Sequence, residues 1–560
     1  MYHGRIGNGE VAVVKNRFLG FLIWQSVQST TVYLVCKALL LSPFFTRQPL
    51  SAFLVGCLAF FAFHLSLLLF SSCLFAVASA QPHGSASPVE LVLGLIRLIF
   101  VSGGQPLPSD FRRRARISLG FLLFVAASAL SGFLSLISVC YNCFHGSFAQ
   151  RNRPGNYWHL VGILGFRGFA VGLFFGINYL YKKRWVLEFP IIQRPTFFSF
   201  KMGILSATLR ALKLSSVAYL FSAFLAVFAS NEYKDQLTVG TLIAEQIILY
   251  IGIFLTILCW ELNHHLHQVM HMKRFVFAPP KGSAAAETNP SEPLLAALED
   301  SMPRSLVQYL AYLDLCMVCE SNVDIWRRAA FFEETGDTYR RVMAVCLRPL
   351  EQLALELGEG LESCPTDKSL QLGNQLPSPT DLQLDPRIQK AFYDFQLHAW
   401  CARTVASLTV HSHKEDRFGV AQLSGSIAAV ISTLLSCLLA VELLMGKKTN
   451  MQSPLHPTGP AGIKWATLST GRGEATTGTI GKRRGRGRGR DSPLYSKAYS
   501  MADILRTSIY CIVSAFHNEM VTSDKAGNLA KDWITNKKCL YGNPELLVQK
   551  LRLFLDFRAC

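Results

Sequence analysis

The chain is poor in charge and lacks every common catalytic signature. Asp, Glu, Lys and Arg together make up 16% of its 560 residues. There is no Walker A loop, no dinucleotide GxGxxG, no GxSxG elbow and no HExxH helix. Gly103-Gly104 and Gly471-Arg-Gly473 are too bare to cradle a phosphate. These absences argue against enzyme chemistry, and no cofactor is expected. The 15 cysteines form no disulfide framework. Cys140-x-x-Cys143 and Cys316-x-x-Cys319 have no second CxxC or HxxxH nearby, so they read as helix-packing residues rather than metal ligands. Cys36, Cys57, Cys73 and Cys259 sit in apolar runs and act as small hydrophobes.

Acid is scarcest in the N-terminal half. Residues 1–281 carry 24 Lys+Arg against 8 Asp+Glu, whereas residues 282–560 carry 31 against 29. The basic excess therefore belongs to the half that also holds the long apolar runs. That pattern favours membrane topology over nucleic-acid binding as its cause.

What is present begins with Leu50–Ala80, 31 residues without one Asp, Glu, Lys or Arg. About 20 apolar residues span the ~30 Å hydrocarbon core as a helix. Six such spans are expected, at about 18–41, 50–80, 117–140, 158–181, 212–229 and 239–260, and none contains proline. The first follows Arg5, Lys15 and Arg17 and reads as a signal anchor rather than a cleavable leader. Counting Lys and Arg in alternate connections gives 18 on one side and 4 on the other. The positive-inside rule then puts both termini on the cytoplasmic side.

Apart from Lys213 at the edge of the fifth, three charges fall inside these spans: Lys37, Arg167 and Glu245. Lys37 lies near a span end and can snorkel. Arg167 and Glu245 lie at depths that agree within about 5 Å at 1.5 Å per residue, so they are a candidate structural pair between spans four and six. His264, His267 and His271 share one helix face after the last span. No acid or cysteine completes a metal site there, and the stretch reads as a continuation of the helix. Residues 88–101 are an apolar segment too short to cross, with an interfacial amphipathic helix and a buried loop helix as equal readings.

From 276 onward the pattern changes. Residues 276–302 read as a linker, 303–362 as helical, 363–386 as a second linker and 387–445 as a helical hairpin. The stretch Phe418–Met445 is apolar enough to be taken for a span. Its serines and threonines, and the unbalanced topology that a seventh span would create, favour a buried bundle helix instead. Residues 446–492 carry 10 Lys+Arg against 2 acids and include a Gly/Arg run at 482–490. That composition cannot build a packed core and reads as a disordered linker. Any nucleic-acid contact is expected to be weak and confined to this run. Residues 493–560 read as C-terminal helices. The fold class expected is all-α: a polytopic six-helix transmembrane domain followed by a cytoplasmic α-helical domain with disordered linkers.

Three stretches carry a family resemblance. They are Leu187-Glu-Phe-Pro-Ile-Ile-Gln193 after span four, Pro303-Arg-Ser-Leu-Val-Gln-Tyr-Leu-Ala-Tyr-Leu-Asp-Leu315 after the linker, and Gln396-Leu-His-Ala-Trp400 followed by Glu415-Asp-Arg-Phe-Gly-Val420. In order and spacing they resemble the nuclear-division-cycle family, the integral membrane nucleoporin that fungi share with the spindle pole body. The chain looks like a plant-type member. The motif positions so implied are Phe189, Pro190, Gln193, Tyr309, Leu310, Asp314, Trp400, Glu415, Asp416, Arg417, Phe418 and Gly419. The segment 459–490 matches nothing in the family, and the linker at 363–386 is short beside that of animal members. The resemblance implies a structural, non-enzymatic anchor of the nuclear pore complex in the nuclear envelope. Its implied partners are the lipid bilayer and the soluble inner-ring nucleoporins, and it implies support of pore assembly and, indirectly, of protein and mRNA transport. The rival reading, a polytopic transporter or channel, would require internal repeats, broken spans and several ionisable groups near mid-membrane.

Overall fold

A computed structural model describes residues 3–38, 51–80, 89–90, 109–148, 156–190, 193–229, 239–280, 282–301, 305–362, 386–451, 493–535 and 540–559. Residues 363–385 and the Gly/Arg run lie outside these, as does all but 89–90 of the 88–101 segment. The chain divides into two compact units. One comprises 1–277 with 296–314, the other 278–295 with 315–560. Both are helical, and among the described residues the only β pairing is a single bridge between Ser79 and Val186.

The first unit is built from α1 (His3–Cys36), α2 (Ser51–Val77), α3 (Ser109–Phe148), α4 (Asn156–Tyr181), α5 (Thr196–Ala229) and α6 (Val239–His271). Its largest helix interface is a glycine seam between α3 and α4. A Cβ on Gly132 would stand 2.2 Å from the Gly168 carbonyl, and one on Gly172 would stand 2.1 Å from the Ser128 carbonyl. Backbones approach this closely only where side chains are absent, which is the usual contact of helices in lipid. The α2–α3 contact is held by polar ties instead. Ser131 Oγ donates to the Ser66 carbonyl at 2.8 Å, and the Ser66 and Ser135 hydroxyls lie 2.6 Å apart.

Among the described residues six helices are long and apolar enough to cross a membrane: Leu54–Val77, Phe111–Cys140, Val161–Tyr181, Thr196–Val227, Ile243–His271 and Ser426–Gly446. The number agrees with expectation, but the membership differs at two places. The first expected span, in α1, is absent from the set because Gln25, Ser26, Gln28, Ser29, Thr30 and Thr31 dilute it. The stretch 426–446 enters because it is uniformly apolar. Burial separates the two cases. In α1, Leu19, Ile23, Trp24, Val27 and Leu34 face outward, while Gln25 and Ser29 are buried. A helix that hides its glutamine and exposes its leucines is arranged for an apolar solvent.

The second unit inverts that pattern. Its helices are the end of α7 (Leu306–Glu320), then α8 (Asp337–Glu362), α9 (Phe395–Glu415), α10 (Ser426–Met451), α11 (Pro493–Ala515) and α12 (Pro544–Ala559), with short helical turns between. In α10, Val430, Ile431, Leu434, Leu435, Leu438 and Val441 are all buried against the surrounding helices. Its apolar character is used up inside the protein, as expected of a bundle helix. Glu442 of α10 accepts from Arg506 of α11 at 2.9 Å and from Lys550 of α12 at 2.7 Å, which ties three helices together.

Two expected boundaries need correction. The stretch 276–302 is not a featureless linker: it contains helices Ala284–Thr288 and Glu292–Glu299, and Leu294, Leu295 and Leu298 are buried. Three apolar residues in two turns outweigh the flanking prolines. The expected long helix over 418–445 is broken into Val420–Leu423 and α10. The break falls at Gly425, whose φ of 63° is left-handed and favours glycine.

Candidate functional site

Two groups of residues stand out, one in each unit. In the first unit, α4 ends at Tyr181 and the chain turns through Lys182-Lys183-Arg184 into an extended strap. Ser79 N donates to the Trp185 carbonyl at 3.1 Å, and Leu187 N donates to the Ser79 carbonyl at 2.8 Å. Alternation then buries Trp185, Leu187 and Phe189 and exposes Glu188 and Pro190. Phe189 stacks on Tyr309 at 5.5 Å between centroids with 16° between planes. Leu310 is buried beside it in sequence. Asp314 accepts from Arg274 Nε at 2.7 Å and from the Phe277 backbone N–H at 2.9 Å. Gln193 follows the strap, and its Nε2 is buried without a hydrogen-bond acceptor among the described residues.

The strap also delivers Arg184 to a buried acid. Its guanidinium makes two hydrogen bonds to Glu261 of α6, at 2.5 and 2.8 Å, and lies 5.4 Å over the Tyr179 ring. Arg210 of α5 approaches the same carboxylate at 3.7 Å. The Tyr179 hydroxyl donates to the Arg184 carbonyl at 3.1 Å and is 3.1 Å from His264 Nδ1. Sequence reading missed this group, because Glu261 falls one residue past the expected end of span six. Its signal was available in an acid following an apolar run, opposite the basic stop at 182–184.

Farther along α6, the helix continues through His264, His267 and His271, as expected. All three are buried. His267 and His271 lie 3.9 Å apart between ring centroids. Among the described residues no three His, Cys, Asp or Glu side chains are arranged to hold a metal ion. Arg17 of α1 donates to the Met270, His271 and Lys273 carbonyls and so caps the α6 C-terminus. Of the expected intramembrane pair, Arg167 lies half-buried on α4 and Glu245 half-buried on α6.

In the second unit the motif residues gather at one end of the bundle. Glu415 at the end of α9 pairs with Arg328 at 2.6 and 2.9 Å, and Arg328 also donates to the Cys319 carbonyl at 3.1 Å. Asp416 Oδ2 accepts the Ala421 backbone N–H at 2.8 Å, and Gly419 takes a φ of 68° between them. These three residues shape the turn. Arg417 and Phe418 do not: both are exposed, Phe418 at 53%. Trp400 is buried in α9, two residues from the buried His398. Burial lowers the His398 imidazole from the usual 6.5 to about 4, against a smaller raising effect of Asp394. Burial likewise pushes the Cys316 thiol up to about 12, with Glu320 adding to the rise. Cys316 and Cys319 are fully enclosed, consistent with packing rather than redox chemistry.

These features define a class: a multi-pass α-helical membrane protein that carries a second, densely packed helical unit. Residues 378–521, which span α9 to α11 and the motif turn, match the family model described as Nucleoporin protein Ndc1-Nup. No curated protein matches the chain in sequence. Over residues 378–521, about a quarter of the 560, the chain is similar to the Ndc1 nucleoporins.

Proposed function

We propose that this protein anchors the nuclear pore complex in the nuclear envelope, supports pore assembly, and is thereby indirectly required for transport of protein and mRNA. One observation carries the reading: the two units use their long apolar helices in opposite ways. The first unit exposes apolar side chains such as Leu58 at 70% and Val227 at 74% while it buries Glu261. The second buries its most apolar helix. A chain so divided can sit in lipid at one end and bind soluble proteins at the other.

In this reading the spans are α1 to α6, and α10 does not cross. The bias of 18 to 4 in Lys and Arg supports a topology with both termini on the cytoplasmic and pore side. The second unit then meets soluble inner-ring nucleoporins. Arg417 and Phe418 are the natural contact pair, since an exposed aromatic beside an arginine is typical of interface hot spots and neither shapes the turn they sit on.

Imaging of the tagged full-length protein tests the function. A punctate nuclear rim supports it, and a plasma-membrane or vacuolar signal overturns it. Glycosylation reporters in the connections test the orientation: acceptance at either terminus would reverse it. Deleting 459–490 should leave the rim signal intact, whereas its loss would give the Gly/Arg run a core role.

A further inference from the structure

A groove of about 430 Å³ lies between α5 and α6, lined by Tyr219, Ile243, Gln246, Ile247 and Tyr250. We propose that it binds a membrane sterol. The proposal rests on the reading that α5 and α6 cross the bilayer, because the occupant must then come from the lipid. Both helices are apolar enough to cross, and beside the groove they expose Val217, Leu220, Ile243 and Ile247. Yet the groove holds a small polar shelf. The Tyr219 hydroxyl donates to Gln246 Oε1 at 2.8 Å, and the Ser216 and Tyr250 hydroxyls are 3.1 Å apart.

That shelf is incomplete. With Oε1 engaged, the Gln246 amide still has its two N–H donors to offer. Donors facing hydrocarbon are costly, so a ligand that brings one oxygen is favoured. An acyl chain brings none. A diacyl phospholipid brings ester oxygens close to a phosphate, but no cation lines the groove and Glu245 adjoins it in sequence. A sterol brings a single hydroxyl, which accepts from Gln246 Nε2, on a flat rigid body. The walls suit that body: the Tyr219 and Tyr250 rings stand edge-on at 5.8 Å and 80°, flanked by two β-branched isoleucines. Its volume falls within the range of about 300–1,000 Å³ typical of small-ligand sites.

The test uses the full-length protein in phosphatidylcholine nanodiscs with a photoreactive cholesterol analogue, and adducts are mapped by mass spectrometry. Adducts on the peptides holding Tyr219 and 243–250, displaced by unlabelled cholesterol, are expected. Gln246→Leu and Ile247→Trp should each reduce them about fivefold, the scale of one lost hydrogen bond. Photoreactive phosphatidylcholine should still label α5 and α6 in both variants, which also shows that they insert. Sterol labelling unchanged in both variants, or spread over the unit without competition, overturns the proposal. If neither probe labels α5 or α6, the membrane reading itself fails. If only phosphatidylcholine labels them, the sterol site alone fails.

Discussion

Arg184 and Glu261 form a two-point ion pair, at 2.5 and 2.8 Å, with the carboxylate fully enclosed by the first unit. The arginine arrives from a turn after α4 and the acid from the last third of α6, 77 residues later. Pairing a buried acid with a guanidinium satisfies both groups, whereas leaving either alone strands a charge. Removing one partner should therefore cost about 3–5 kcal/mol. Glu261→Ala and Arg184→Ala are each expected to lower the melting temperature sharply in detergent. The double variant should be milder than the sum of the two, measured by size-exclusion fluorescence. Additive losses would mean that the pair does not couple.

The glycine seam gives a second prediction. Gly172 faces the Ser128 carbonyl with no room for a Cβ. Gly172→Leu should splay α3 from α4 and cost about 1–3 kcal/mol or more, the usual scale of overpacking. Loss of monodisperse protein on solubilisation is the readout. Gly162→Leu, at a position with open space, is the control and should be tolerated.

His398 makes the second unit sensitive to acid. Its pKa is about 4 when folded and near 6.5 when unfolded. The unfolded chain therefore binds more protons between these values, and stability rises with pH there. The contribution is complete above pH 6.5 and is lost progressively as pH falls to 4, by about 3 kcal/mol at 1.36 kcal/mol per unit. Hydrogen exchange of α9 in the full-length protein, corrected for intrinsic rates, should show this opening. His398→Gln should flatten the pH dependence, and an unchanged profile would contradict the assignment.

The motif turn separates shape from contact. Asp416→Ala removes the acceptor for the Ala421 N–H and should cost about 1 kcal/mol, as lost helix-capping side chains do. Arg417→Ala with Phe418→Ala should leave the melting temperature unchanged and weaken recovery of pore-complex proteins with the tagged chain. Destabilisation by that pair would make it structural instead.

Arg167 and Glu245 are proposed to pair between α4 and α6. A double-variant cycle with Arg167→Ala and Glu245→Ala should then show coupling of about 0.5 kcal/mol or more. Strictly additive effects would dismiss the pair.

Much of the fold was legible from local chemistry. Uncharged runs such as Leu50–Ala80 can persist only out of water, and the skew of basic residues among connections follows from the energetics of insertion. Turn residues were equally readable: Gly419 in Glu415-Asp-Arg-Phe-Gly takes the positive φ that glycine tolerates best. The Gly168-x-x-x-Gly172-x-x-x-Gly176 spacing was visible too, but its partner helix was not.

Composition alone settled that part of this chain is built for lipid, because transfer free energy adds up residue by residue along a helix. It did not settle which apolar helices those are. The polar residues of α1 and the apolar ones of α10 mislead a composition count, since hydropathy records what a helix contains and not which face it turns outward. Only tertiary packing decided that α1 hides Gln25 and Ser29 while α10 is enclosed by its own unit. Packing likewise decided that Glu261, a lone acid at the edge of a run, meets Arg184. Pairing across 77 residues depends on how helices are placed in space, which no local pattern encodes.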